Sequence, residues 1–197
     1  SFFVIAALIA AKLDQATKVA RQLSLTASNA RAVALRAGEG AAGFRPLTEF
    51  IDRLANVTVK SSLQINKIAA VLSHTAAERF RTDNAIVRFD IIYKKSSDSE
   101  YIGSLNFGYE RTKRQQQTLY RNYQYQLSEL TVELDTLKDE LRTAVILATL
   151  SRVEASQAGS LYQDALNNVA DNVESAASLI KKHIESSKQL VSSLQQE

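Results

Sequence analysis

Residues 119–148 read LYRNYQYQLSELTVELDTLKDELRTAVILA, and this stretch decides the fold. Leu119, Tyr123, Leu127, Leu130, Leu134, Leu137, Leu141, Val145 and Ala148 recur at intervals of three and four, while Glu133, Lys138, Asp139, Glu140 and Arg142 fill positions between them. Side chains three and four apart share one face of an α-helix, so the stretch encodes an apolar seam with charged flanks. The seam is close to a heptad, and a heptad seam asks for partner helices laid alongside.

Working outward, the same spacing appears three more times. A first helix is expected from about residue 3 to Ala37 through Ile9, Leu13, Ala16, Ala20, Leu23, Ala27, Ala30 and Ala34. A second carries Leu47, Phe50, Ile51, Leu54, Val57, Leu63, Ile65, Ile68, Leu72 and Phe80, and a fourth runs from about Tyr162 through Leu166, Val169, Val173, Ala177, Ile180, Ile184 and Leu190 to Leu194. Three breaks separate them. Gly38, Gly40 and Gly43 form the one glycine cluster, suited to the positive φ of a tight reversal, and Pro46 fits the first turn that follows. Ser97-Asp98-Ser99-Glu100 offers capping side chains, and Gly159 stops the third helix. The alternation of Phe89, Ile91, Tyr93, Tyr101, Leu105 and Phe107 would also suit a small β-hairpin there.

Measured from break to break, the arms hold about 40, 60, 59 and 37 residues, so the outer pair match and the inner pair match at about 1.5 Å per residue. The fold class is therefore all-α: a long antiparallel four-helix coiled-coil bundle made of two helical hairpins in one chain. Residues 1–95 form the first hairpin, with its tip near 38–44, residues 96–108 connect, and residues 109–197 form the second, with its tip near 159–162. A weak internal repeat agrees. Ala30–Gly38 (ARAVALRAG) aligns with Ser151–Gly159 (SRVEASQAG), matching at Arg, Ala, Ala and Gly.

Composition narrows the function. The chain of 197 residues has no Cys, no Met, no Trp, one Pro and six Gly. Without cysteine there is no disulfide scaffold, thiolate nucleophile or Cys-based metal site. His74 and His183 stand apart from each other and from any acid–nucleophile set, so neither an enzyme nor a cofactor is expected. Gly38-Glu39-Gly40 is no phosphate loop, because no Lys-Ser/Thr follows. Tyr120-Arg121-Asn122-Tyr123 after Arg111–Arg114 interleaves bases with aromatics, yet on a helix these point in several directions. Nucleic acid is not the expected partner.

Residues 1–128 carry a net charge of +8 and residues 129–197 a net −5, consistent with the +3 of the whole. The acids are dispersed among helix formers, so attraction between the two parts of one bundle is the expected use of this asymmetry. The missing initiator Met is expected of an excerpt or processed product. Phe2–Ala11 is apolar for about half a membrane span, read as a bundle helix, with the end of a transmembrane helix as the alternative.

Ala27–Ala55, ASNARAVALRAGEGAAGFRPLTEFIDRLA, resembles the hairpin tip of the cytoplasmic signalling domain of bacterial methyl-accepting chemotaxis proteins. Asn29, Ala30, Ala34, Arg36, Ala37, Gly38, Glu39, Gly43, Phe44, Leu54 and Ala55 match in register without gaps. The sequence departs from the family at Val33, where a Glu is usual, and at Arg21, Thr26, Ser28, Arg31 and Ala42. The resemblance implies a signal-transduction module without catalysis, located in the cytoplasm, whose tip contacts a histidine kinase and an SH3-like coupling protein. Asn29, Arg36, Gly38, Glu39, Gly43 and Phe44 would form the contact. It also implies a homo-oligomer and membrane attachment through flanking segments, and Gln195-Gln196-Glu197 has the look of the family's methylated pairs. The alternatives are a four-helix ligand-sensing domain of a membrane receptor and a structural coiled-coil spacer.

Overall fold

A computed structural model describes residues 2–96, 100 and 102–195. Ser97, Asp98, Ser99 and Tyr101, offered above as caps or strand residues, lie outside that set, as do Gln196 and Glu197 of the methylation reading. Helix α1 spans Phe2–Ala37, α2 spans Phe44–Lys95, α3 spans Asn106–Gln157 and α4 spans Ser160–Gln195. Short 3-10 turns, Gly38–Ala41 and Ile102–Leu105, follow α1 and precede α3. The described residues of 88–107 therefore form helix and turn, and there is no strand among the described residues. Phe89 and Tyr93 meet Tyr109 edge-on with ring centroids 5.7 and 5.2 Å apart, so the alternating aromatics pack across a helical hairpin.

The lengths are 36, 52, 52 and 36 residues, which gives the bundle its shape. Each helix packs against two neighbours in the cycle α1–α2–α3–α4, and every neighbour is antiparallel. Four helices run together for about 54 Å, and α2 and α3 then continue as a pair for about 24 Å. Tyr123 marks the shoulder, where its hydroxyl reaches the Leu194 carbonyl at 3.5 Å.

Every α1 seam residue named from the sequence is buried, from Ile9 to Ala34. Counting from the turns places Leu13, Ile68, Leu134 and Ile184 at one height, and Ala27, Leu54, Ala148 and Ala170 at a height nearer the tips. The core is thus large-sided towards the shoulder and small-sided towards the tips, where alanines allow close helix approach. Phe2–Ala11 opens α1 as a bundle helix, with Ile9 in the core. No helix among the described residues is long and apolar enough to cross a membrane.

Three seam positions named from the sequence, Leu63, Phe80 and Val145, are exposed, and Phe50, Val57, Leu119 and Leu190 are half-buried. Leu63 is 65% exposed because Ser61 and Ser62 take the inward positions. Val145 yields to Ala144 and Leu190 to Val191, one residue away on the helical net. Phe80 is 70% exposed for a different reason: α1 begins at its height, so no neighbour covers it. Several buried hydroxyls answer their own helix, Thr58 to the Leu54 carbonyl at 2.8 Å and Thr75 to Val71 at 3.1 Å, so they do not leave donors stranded. The charge asymmetry is used sparingly. Arg53–Glu140, at 3.1 Å, is the one direct ion pair joining residues 1–128 to 129–197 among the described residues.

Leu134→Ala should lower the unfolding free energy by about 2–5 kcal/mol, as expected for a fully buried leucine. Phe80→Ala should change it by less than about 0.5 kcal/mol. Denaturant titration of the two variants distinguishes a seam position from one beyond the seam.

Candidate functional site: the paired tips

At one end of the bundle the two turns meet. Gly38 adopts φ 66° and Gly159 φ 83°, and they are the two positive-φ residues among those described. Both stand immediately or one residue after a helix end, where an αL residue closes the last turn. The weak repeat now has a physical meaning. Its matched arginines each reach the returning helix of their own hairpin: Arg31 to Asp52 at 2.5 Å, and Arg152 to Asp171 at 2.7 Å and also to Glu174. Its first matched alanines, Ala34 and Ala155, are both buried.

Gly40 and Gly43 do not use positive φ, contrary to the sequence expectation; Gly43 sits at φ −64°. Their value is the absence of a side chain. A Cβ on Gly40 would lie 3.5 Å from Ala158 Cα, so the first turn rests on the end of α3. At Gly43 the space is occupied by the Glu154 carboxylate, brought across from α3. Gly43 is also the N-cap of α2, which has neither a side-chain cap nor an acid in its first turn. Glu154 therefore supplies negative charge beside the positive end of the α2 dipole, an arrangement worth about 0.3–1 kcal/mol.

The six residues assigned to the tip separate into two groups. Asn29, Arg36, Gly38, Glu39 and Gly43 are exposed, while Phe44 is fully buried and ranks among the largest enclosed side chains. Phe44 folds under the turn with Ala41, so it shapes the tip from inside and its ring offers no surface. Arg36 and Glu39, three apart, form no ion pair among the described residues, which leaves both charges directed at solvent. Leu35 and Leu161 flank them, 66% and 80% exposed.

Sequence reasoning missed two features here. Ile146, Leu150 and Val153 form an exposed apolar row on α3, legible as a second set spaced by four and three beside Ala144 and Ala148. Glu154 was visible only as the residue aligned with Val33; its place against Gly43 joins residues 111 apart in the chain, and no local pattern carries that. Of the histidines, His74 is exposed, and His183 has its pKa lowered by burial and by Lys12 and Lys182. No group of three or more acids or histidines among the described residues is arranged to hold a metal. No family model matches the chain, and no curated protein or solved structure is significantly similar to it.

Gly43→Ala should displace the Glu154 carboxylate and cost up to about 1 kcal/mol. In a Glu154→Ala background the same change should cost less, because no carboxylate is left for the new Cβ to displace. A double-mutant cycle by denaturant unfolding reads the coupling.

Proposed function

We propose that this chain is a signal-transduction module of the chemotaxis-receptor kind, acting through protein–protein contacts at the Asn29–Phe44 tip. The observation that carries the reading is the tip's construction: a reversal braced from behind by the second hairpin, with Arg36 and Glu39 exposed at its rim and without an ion pair among the described residues. Charged groups held on a rigid turn suit recognition of a complementary surface, because little ordering entropy is lost on binding. A histidine kinase and its coupling protein are the partners the tip sequence suggests, with the tip in the cytoplasm. The second hairpin takes the place that a second receptor chain would have. The alanine-rich layers behind the tip would then carry a change of packing between the contact surface and the rest of the bundle.

The test is a pull-down of the kinase and coupling protein of the source organism by the full chain, beside an Arg36→Ala, Glu39→Ala double variant. Phe44→Ala is unsuitable, because loss of a buried aromatic costs about 3–5 kcal/mol and removes the tip itself. Retention that falls about tenfold or more in the double variant, with its melting temperature unchanged, is the expected result. Equal retention by both proteins, or none by either, contradicts the proposal.

A further inference from the structure

The pair α2–α3 beyond the shoulder carries three cavities, and their polar groups differ in how far they are already engaged. In the cavity at Asp90, Tyr93, Asn106 and Tyr109, the Tyr93 hydroxyl donates to Asn106 at 2.7 Å and the Tyr109 hydroxyl to Asp90 at 2.9 Å. In the groove at Phe80 and Phe89, Arg81 is paired with Glu78 at 2.7 Å, which leaves Arg88 as its one guanidinium without an ion pair among the described residues. The third cavity is different. It has a volume of about 480 Å³, lies at the shoulder where α1 and α4 stop, and is lined by Arg79, Asp83, Gln116, Gln117, Tyr120 and Arg121.

Here the one carboxylate is taken: Asp83 accepts from the Gln116 amide at 2.6 Å. The two guanidiniums are not taken. Neither Arg79 nor Arg121 has a carboxylate within ion-pairing distance among the described residues. Arg79 is nevertheless held in place, its Cζ 5.4 Å from the Tyr120 ring centroid and 4.5 Å from that of Tyr123. The ring contacts supply no counter-charge, and a guanidinium's N–H donors match the oxygens of a carboxylate or phosphate. The two guanidiniums outweigh the single Asp83 carboxylate, which is held by Gln116 and pairs with neither, and an anion completes such an arrangement. The volume is that of a small-molecule site.

We propose that this shoulder cavity binds a small organic oxyanion, a carboxylate or a phosphate ester, through Arg79 and Arg121. Tyr120 offers its ring to the organic part and Gln117 a further donor. The site is independent of the tip, so it stands or falls apart from the docking reading.

The experiment uses the full chain and three probes, inorganic phosphate, phenyl phosphate and malonate, each titrated against sodium chloride at equal ionic strength. Amide chemical shifts around residues 79–83 and 116–121 report binding. A saturable shift with phosphate or malonate by about 10 mM, weakened about tenfold or more in Arg121→Gln or Arg79→Gln, is expected, and the tighter arm identifies the oxyanion. Tighter binding of phenyl phosphate than of inorganic phosphate would support the contact with Tyr120. Arg121 is exposed, so its variant should fold as the wild type does. No saturable shift with any probe, or shifts equal to those of sodium chloride, overturns the proposal, as does undiminished binding in both variants.

Discussion

The structure depends on register, and register is fixed where two turns close against each other. A four-helix bundle with a small-residue core tolerates little axial slip, because each alanine layer fits only its opposite neighbours. The αL glycines Gly38 and Gly159 end α1 and α3 at one height, and the contacts of Gly40 with Ala158 and of Gly43 with Glu154 hold the two ends together. From that plane the seams of all four helices run outward in step. The equal pairs of 36 and 52 residues then place the shoulder and the two-helix projection at the opposite end.

Division of labour along the bundle follows from the same geometry. Near the tips, small side chains bring backbones close, and the surface presents charged rim groups together with exposed apolar residues such as Leu35, Leu161 and Leu150. In the middle, leucine and isoleucine layers such as Leu13, Ile68, Leu134 and Ile184 provide apolar burial, the main stabilising term for such a fold. Beyond the shoulder, the pair α2–α3 has lost two neighbours, and its contacts become aromatic and polar: Tyr109 with Phe89, Tyr93 and Asp90, and Gln116 with Asp83. That section exposes Phe80, Val87 and Phe107, as a half-bundle must.

Most of this was legible in the sequence, because a heptad seam is a local and repeated signal. The α1 seam is buried position for position, and the break spacing gave the matched arms. The failures have specific causes. Leu63 misled because α2 turns Ser61 and Ser62 to its inward face, and periodicity read from large apolar residues alone passes over buried serines. Phe80 misled because its spacing is right and its neighbour ends. At the tip, glycine content alone could not tell Gly38, which needs a positive φ, from Gly43, which makes room for Glu154. The shoulder cavity was visible only as a basic and aromatic interleaving, since its two arginines stand on different helices.

The central claim is that both hairpins dock within a single chain, so that α1 lies beside α4. The absence of cysteine makes a direct measurement simple: introduce Gln15→Cys and Lys182→Cys, two exposed positions at one height, attach spin labels, and record the dipolar distance. With about tenfold unlabelled chain added, the account predicts an unchanged separation within roughly 25 Å, set by neighbouring helix axes about 10 Å apart plus two label arms. A short distance that vanishes on dilution with unlabelled chain, or a separation beyond roughly 50 Å, would contradict it.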